Sequence, residues 1–168
     1  MSVIVRTEQP GDEAGIFAIH TAAFPIEAEA RLVDHLRTAN RLTISLVATD
    51  ADKLVGHIAF SPVTCPATTD GLGLAPVAVL PEFQRQGIGS LLIRAGLTAA
   101  VQAGAGFVVV LGDPAYYSRF RFMQASRFGL QNEYGADAAF MVLELRPNSL
   151  PAAGGLVRYA PEFSIFGA

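Results

Sequence analysis

The sequence contains few cysteines and no long apolar run, and both shortages exclude classes of protein. One cysteine in 168 residues, Cys65, excludes an internal disulfide framework and fits a reducing compartment. No apolar run reaches the roughly 18 to 20 residues that a membrane span needs, and the first residues have no basic stretch followed by an apolar core. We therefore expect a soluble, cytoplasmic protein that does not bind a membrane.

The chain also lacks an excess of positive charge. Its 12 Lys and Arg residues stand against 15 Asp and Glu residues, and the formal net charge of -3 argues against nucleic acid as a partner. The acidic excess lies in residues 1–60, which hold eight acids and five bases, whereas residues 61–168 hold seven of each.

Histidine is scarce as well, and its positions do not indicate a metal site. The three histidines, His20, His35 and His57, have no metal-ligand spacing. We therefore expect no metal and interpret them as surface or helix-face residues.

The spacing of apolar residues and the glycine and proline punctuation predict one α/β domain, residues 1–168, with a mixed, mostly antiparallel sheet flanked by helices. Strands are predicted at residues 3–8, 43–63, 71–80, 104–113 and 138–147, with the second segment folding back as a hairpin at residues 50–52. Helices are predicted at residues 10–24, 27–39 and 114–120, and a further one follows residue 84. Residues 147–168 are expected to pack as an extended C-terminal arm.

The stretch PEFQRQGIGS, residues 81–90, places Gly87 and Gly89 where a helix is predicted to start. We expect this helix to begin near Arg85 or Gln86, because an apolar face follows at helical spacing, made of Ile88, Leu91, Leu92, Ala95 and Ala99. Glycine in a helix costs roughly 0.5 to 1 kcal/mol relative to alanine, so two of them in one first turn need a reason. Without side chains, a phosphate can reach the unpaired amides at the positive end of the helix. The alternative is a tight turn or a close neighbouring element.

Two motifs around this loop carry a family resemblance. The chain has no GxxxxGK[ST] segment, and a dinucleotide GxGxxG fails at Leu92. The run VAVLPEFQRQGIGSLLI, with Q-x-x-G-x-G at residues 84–89, instead resembles the acyl-CoA-binding motif of the GNAT N-acetyltransferase superfamily. The run LGDPAYYSRFRF resembles the second part of that signature, F-Y-x-x-x-G-F. The order of elements is similar over the whole chain, and the C-terminal extension resembles a bacterial, mostly uncharacterised branch.

The resemblance implies a GNAT-like fold, acetyl-CoA as cosubstrate, no metal, and acetyl transfer to an amine. It implies that a bulged strand pairs with the pantetheine arm through Val77, Ala78 and Val79. It also implies that the pyrophosphate lies on the loop formed by Gln84, Arg85, Gln86, Gly87, Ile88, Gly89 and Ser90. Pro76 supports an opened strand because it cannot donate to a sheet ladder, although a frayed strand end is the simpler alternative.

The second motif supplies the candidate catalytic residue. In the resemblance, Tyr117 gives a proton to the coenzyme A thiolate, and a phenol suits this role because it stays protonated at neutral pH. Asp113 and Pro114 are expected to cap and start the helix that carries it. A core aromatic is the alternative, and Tyr116 is the weaker candidate. Arg121 departs from the signature's usual glycine, and Asp113 stands where many relatives have asparagine.

The general base and the acceptor are less well defined. Some relatives carry a glutamate on the strand before the glycine loop, whereas LGLAPVAV has no ionisable residue. Water, Glu27, Glu29 and His57 stay open as the base. In proteins of this family the N-terminal half forms the acceptor side, so its acidic excess favours a cationic amine, with Glu27 and Glu29 as candidate substrate residues. Simple helix N-terminal charge is the alternative for both glutamates.

Together these features predict an N-acetyltransferase that passes acetyl from acetyl-CoA directly to a primary amine of a small molecule, without a covalent enzyme intermediate. A protein or peptide N-acetyltransferase and a non-catalytic acyl-CoA-binding module are the alternatives. The length of the acyl group and the oligomeric state, with a homodimer as one candidate, stay open.

Overall fold

The computed structural model describes residues 2–68 and 70–167. Its strands and α-helices are, in chain order, β1 (Val3–Thr7), α1 (Glu13–Ala23), α2 (Ala28–Thr38), β2 (Ile44–Asp50), β3 (Lys53–Pro62), β4 (Gly71–Val79), α3 (Ile88–Gln102), β5 (Phe107–Leu111), α4 (Pro114–Tyr117), β6 (Met123–Gln124), β7 (Leu130–Asn132), β8 (Phe140–Glu144) and β9 (Gly155–Val157). Short 3-10 turns are found at Pro81–Phe83, Ser118–Phe120, Ala125–Phe128 and Pro161–Phe166.

Seven strands form a sheet in the order β1-β2-β3-β4-β5-β8-β6. Antiparallel pairing joins β1 to β2, β2 to β3, β5 to β8 and β6 to β8, with Val109 opposite Val142 in the β5–β8 pair. β4 and β5 are parallel, because the intervening helix α3 returns the chain before β5 begins. Strands β7 and β9 form a separate parallel pair. The predicted mixed, mostly antiparallel sheet with flanking helices is confirmed.

The chain divides into two compact units. One comprises the residues up to Phe60 together with Ala75–Ala99 and Glu162–Gly167. Part of its core is the cluster of Ile16, Val33 and Val47, which comes from α1, α2 and β2. The other comprises Ser61–Leu74 and Ala100–Pro161, and its largest fully buried side chains are Leu74, Phe107, Leu130 and Phe140.

The helix after the glycine loop starts later than predicted. α3 begins at Ile88 rather than near Arg85 or Gln86. The backbone is left-handed at Arg85, with φ 64°, and at Gly87, with φ 83°, and left-handed residues cannot continue a right-handed helix. Gly87 therefore precedes the helix, and the prediction of two glycines within one first turn is wrong.

Part of the C-terminal arm has regular structure. β9 pairs with β7, beginning with Gly155 opposite Leu130. The turn Pro161–Phe166 is tied to the residue range before β2 by Glu162, whose two oxygens accept hydrogen bonds from Arg41 at 2.7 and 2.6 Å. The arm is therefore not extended throughout.

Candidate active site

The glycine loop is an exposed turn that a side-chain hydrogen bond ties to the end of β4. Gln84, Arg85, Gln86 and Gly87 are all exposed. The Gln84 side chain donates from Nε2 to the carbonyl of Val79 at 2.9 Å, which ties the loop back to the end of β4. These contacts hold the loop against the strand from which it emerges.

The first turn of α3 presents backbone amides. The first helical hydrogen bond runs from the amide of Leu91 to the carbonyl of Gly87, at 3.0 Å. The amides of Ile88 and Gly89, in the first turn of α3, therefore come before any intrahelical acceptor is available to them, as at every helix start. Together with the helix dipole, these amides favour an anion at this end of α3.

Glycine is required at position 87 because of the backbone conformation there, not because of close packing. Its φ of 83° lies in the left-handed region, and no atom lies within 4 Å of the position that a Cβ would occupy. The predicted alternative of a tight turn is thus part of the explanation, whereas no neighbouring element of the described chain presses on Gly87. A side chain here would project into the open space beside the loop.

The strand before the loop leaves its β5 partner early. The β4–β5 pairing covers Gly71 to Gly73 on β4 and, among the described residues, ends with Gly73 opposite Val109. β4 continues for six more residues, through Val77, which is partly exposed, to Val79. A strand with unpaired backbone groups can accept an added extended segment, as a sheet edge accepts a peptide.

Tyr117 lies at the end of a short helix whose start follows the prediction. Asp113 is the N-cap, with its Oδ1 accepting from the amide of Ala115 at 3.0 Å, and Pro114 is the first helical residue. The Tyr117 ring is buried, with 7% of the residue exposed. It lies so close to Gly112 that a Cβ at that position would collide with it.

The surroundings of Tyr117 keep its hydroxyl protonated. Burial, and secondarily the neighbouring Tyr116, raise the pKa of Tyr117 from 10.0 to about 12. The Tyr116 and Phe122 rings pack edge-on against it, with centroids 5.2 and 5.7 Å away. The phenol is therefore a neutral hydrogen-bond donor across the working pH range.

Arg121, which stands where the signature usually has glycine, adopts a backbone conformation that glycine favours. Arg121 has φ 73°, in the left-handed region. Glycine adopts this conformation without a steric penalty, whereas arginine adopts it at a cost. The position thus has the geometry that a glycine would give.

The two candidate acceptor glutamates differ in their contacts. Glu27 is exposed, and its Oε2 accepts from Arg31 at 3.1 Å. Glu29 is partly buried, and its Oε1 is buried with no hydrogen-bond partner among the described residues. A cavity of about 440 Å³ opens at this end of α2, lined by Ile26, Glu27, Ala28, Arg31 and Ile165.

A series of hydrogen bonds that was not predicted from the sequence connects side chains on separate elements of the fold. His20 Nε2 lies 2.8 Å from His57 Nδ1, His57 Nε2 lies 2.8 Å from Ser45 Oγ, and Ser45 donates to Glu8 Oε1 at 2.5 Å. Glu8 also accepts two hydrogen bonds from Arg37. Both histidines have 0% exposure, so their interpretation as surface residues is wrong. His20 lies on the buried face of helix α1, whereas His57 lies on strand β3 and not on a helix.

Ser45 has a single hydroxyl proton, and this determines which atom donates in each of these hydrogen bonds. Burial alone would raise the pKa of Glu8, but hydrogen bonds from Arg37 and Ser45 lower it, so Glu8 is a carboxylate that can only accept. Ser45 donates to Glu8 and therefore accepts from His57 Nε2. His57 Nδ1 must then accept from His20 Nε2. Both ring nitrogens of His57 are thus occupied.

Burial keeps the two histidines neutral. It lowers the pKa of His20 from 6.5 to about 4. Burial, and then electrostatic repulsion from His20 when it is protonated and from Arg37, lower the pKa of His57. The four hydrogen-bonded residues His20, His57, Ser45 and Glu8 lie on four different segments of the sequence, so no short sequence motif could have predicted these hydrogen bonds.

The described residues, 2–68 and 70–167, contain neither a metal-ligand cluster nor a membrane-spanning helix. Within these ranges, no group of three or more His, Cys, Asp or Glu side chains is arranged to hold a metal ion. No helix in the same part of the chain combines the length and the apolar character needed to cross a bilayer.

Comparisons with known proteins give a consistent result. A model of the Acetyltransferase (GNAT) family matches residues 14–120. The protein described as Uncharacterized N-acetyltransferase YhbS, from Escherichia coli strain K12, is 39% identical over 167 residues, which is 98% of this chain and 100% of YhbS. The crystal structure of Escherichia coli YhbS in complex with CoA superimposes with a TM-score of 0.93, covering 98% of this chain and 93% of that one. A GNAT family acetyltransferase from Brucella melitensis in complex with acetyl-CoA is 40% identical with a TM-score of 0.82, covering 96% and 98%.

Proposed function

This chain belongs to the GNAT family of acetyltransferases, and we propose that it transfers acetyl from acetyl-CoA directly to a primary amine of a small molecule. Family membership and the relatives solved with CoA and acetyl-CoA make it an acetyl-CoA-dependent N-acetyltransferase. The small-molecule acceptor and the direct attack are the proposed parts. The observation that carries the proposal is the exposed loop at the start of α3, with its open space beside Gly87.

The loop and β4 are proposed to hold acetyl-CoA. The loop formed by Gln84, Arg85, Gln86, Gly87, Ile88, Gly89 and Ser90 would hold the pyrophosphate, with backbone amides at the positive end of α3 donating hydrogen bonds to its oxygens. The backbone of Val77, Ala78 and Val79 would pair with the pantetheine amides, as a sheet edge pairs with an added strand. Acetyl-CoA supplies a thioester, whose acetyl carbon the acceptor nitrogen attacks.

Tyr117 is proposed as the donor to the departing sulfur. Its pKa of about 12 ensures that the proton is present at neutral pH. A thiol has a pKa of about 8.5, so complete transfer from the resting phenol is uphill. We therefore place the main contribution of Tyr117 in a hydrogen bond that strengthens as negative charge develops on sulfur, followed by protonation of the thiolate.

The acceptor is proposed to be cationic. Residues 1–60 carry the acidic excess of the chain. Glu27 lines the cavity at the N-terminal end of α2, and Glu29 lies two residues further along the same helix. Acids near a cleft attract an ammonium through a field that salt weakens. Added salt should therefore raise KM for a cationic amine and leave KM for a neutral acceptor unchanged.

Thiol release from acetyl-CoA with a panel of acceptors tests the proposal. The panel contains small primary amines, polyamines and peptides with free N-termini. We expect small cationic amines to give the highest kcat/KM. Preference for peptides would favour a protein or peptide N-acetyltransferase. Binding of acetyl-CoA without release of thiol for any acceptor would favour a non-catalytic acyl-CoA-binding module.

A further inference from the structure

The cavity at the N-terminal end of α2 is formed within one compact unit of the chain. Its volume of about 440 Å³ lies in the range of roughly 300 to 1,000 Å³ that small-molecule sites occupy. The lining residues are Ile26, Glu27, Ala28, Arg31 and Ile165. All five belong to the unit that contains the residues up to Phe60 and Glu162–Gly167, so the shape of the cavity is set by this unit alone.

The wall formed by Ile165 is anchored by the residues around it. Ile165 lies in the turn Pro161–Phe166, and Glu162 in the same turn accepts hydrogen bonds from Arg41 at 2.7 and 2.6 Å. Phe163, two residues before Ile165, is buried. These contacts hold the turn in place, so this wall is largely preformed, which is the usual arrangement in small-molecule sites.

Three apolar side chains give the cavity a surface that an apolar group would cover. They are Ile26, Ala28 and Ile165. Ile26 is 64% exposed, so most of its apolar surface is in contact with water. Covering part of this surface with an apolar group of a ligand is favourable, because apolar surface is removed from water on both molecules.

One carboxylate and one guanidinium lie beside this apolar surface. Glu27 Oε2 accepts a hydrogen bond from Arg31 Nη2 at 3.1 Å, and both side chains are more than half exposed. Among residues 2–68 and 70–167, this is the only hydrogen bond that either side chain makes. Glu27 Oε1 therefore keeps its capacity to accept, and Arg31 Nε and Nη1 keep their capacity to donate. A ligand can bind both side chains without breaking the ion pair.

The spacing of the two charges indicates the class of ligand. Opposite charges 3.1 Å apart match a ligand whose ammonium and carboxylate are also adjacent, as they are on the α-carbon of an amino acid. A simple amine would bring a second cation beside Arg31, and a simple carboxylate would bring a second anion beside Glu27. A free amino acid pairs both of its charges.

We propose that this cavity binds a free α-amino acid with an aliphatic side chain. The ammonium of the amino acid donates to Glu27, and its carboxylate accepts from Arg31. Its side chain lies against Ile26 and Ile165. This inference concerns binding and goes beyond the proposed acetyl transfer.

Isothermal titration calorimetry with leucine and three analogues tests the site, in the absence of acetyl-CoA. Each analogue lacks one group of leucine: 3-methylbutylamine lacks the carboxylate, 4-methylpentanoate lacks the ammonium, and glycine lacks the aliphatic side chain. Loss of a hydrogen bond to a charged group, or of a buried aliphatic side chain, weakens binding roughly tenfold or more. We therefore expect leucine to bind at least about tenfold more tightly than each analogue.

Substitutions of the lining residues should each remove one preference. Arg31→Gln should abolish the preference for leucine over 3-methylbutylamine, and Glu27→Gln should abolish the preference for leucine over 4-methylpentanoate. Ile165→Ala should reduce the preference for leucine over glycine. Arg127→Gln removes an exposed arginine that does not line the cavity and should leave all affinities near the wild-type values. Because an exposed ion pair contributes little to stability, the first two variants should unfold at the wild-type urea concentration.

Three results would overturn the inference. The first is a failure of leucine to bind, or to bind more tightly than its analogues. The second is an unchanged set of preferences in Arg31→Gln and Glu27→Gln, which would place the amino acid elsewhere on the protein. The third is dimerisation in analytical ultracentrifugation that Arg31→Gln abolishes and leucine does not affect, which would assign the cavity to contact between two copies of the chain. Acetyl transfer is measured separately by thiol release, so the proposed function stands or fails independently of these results.

Discussion

Mild acid should destabilise this protein through the buried pair of His20 and His57. Both side chains are fully buried and neutral, and their hydrogen bonds lead to Glu8 through Ser45. The charged groups that face the pair are Glu8, which follows β1, and Arg37 on α2. A proton on either imidazole would place a positive charge in this buried site, and a proton on His57 would also be repelled by the guanidinium of Arg37.

The magnitude follows from the pKa of His20, which is 6.5 ordinarily and about 4 in the folded protein. Because the folded state favours the neutral ring, the unfolded chain binds more protons between these two values, and stability rises with pH. The contribution of His20 is complete above pH 6.5 and is lost as the pH falls toward 4. At about 1.4 kcal/mol per pKa unit the full loss is about 3 kcal/mol, of which about 2 kcal/mol is already lost at pH 5. The lowered pKa of His57 adds to this in the same direction.

Urea unfolding between pH 7.5 and pH 5 measures this loss. This pH range lies above the lowered pKa values of carboxylates such as those of Glu8 and Glu162, so these groups stay ionised throughout the experiment. Wild-type protein should lose at least about 2 kcal/mol of unfolding free energy. His35→Gln, on the exposed face of α2, should show the same loss, whereas His20→Leu should show a smaller one. NMR of the imidazole Cε1–H signals should place the midpoint of His20 near the lower value.

A free energy of unfolding that is flat across this window would refute the reasoning. So would an equal pH dependence in the His20→Leu variant, since the loss would then come from other groups. A His20 signal that titrates at its ordinary value, while the protein stays folded, would show that the pair is accessible to solvent.

Three further predictions concern the cosubstrate and Tyr117. Tyr117→Phe should lower kcat roughly 10²- to 10⁴-fold in a thiol-release assay while acetyl-CoA binding is kept, and Tyr116→Phe should have little effect; equal small effects would mean that neither phenol is the donor. Gly112→Ala should push the Tyr117 ring out of place and lower kcat in the same assay, and a wild-type kcat would show that the ring position is unimportant. Acetyl-CoA at a hundred times its dissociation constant should stabilise the fold by about 2.7 kcal/mol, measured by thermal denaturation, and a folded Gly89→Glu variant that is stabilised as much as the wild type would exclude the loop as the phosphate site.

Local signals predicted most of the secondary structure because they depend on neighbouring residues. The apolar faces of α1 and α2, the hairpin of β2 and β3, and the cap of α4 by Asp113 all follow from patterns within a few residues. The predicted start of α3 was too early, because the spacing of apolar residues carries no information about the backbone angle φ. The periodicity continues smoothly to Ile88, whereas the left-handed backbone at Arg85 and Gly87 delays the helix.

The sequence by itself determined the family, through two motifs whose residues are close together, and with it the cosubstrate. Only the tertiary structure decided which polar side chains are buried and paired. The interpretation of His20 and His57 as surface residues failed because their partners, Ser45 and Glu8, come from other segments and meet them only after folding. In the same way, two glutamates that look equivalent in the sequence differ in the fold: Glu27 is paired with Arg31, whereas Glu29 has one oxygen without a hydrogen-bond partner among residues 2–68 and 70–167. Burial and pairing depend on residues far apart in the chain, and no spacing in the sequence encodes them.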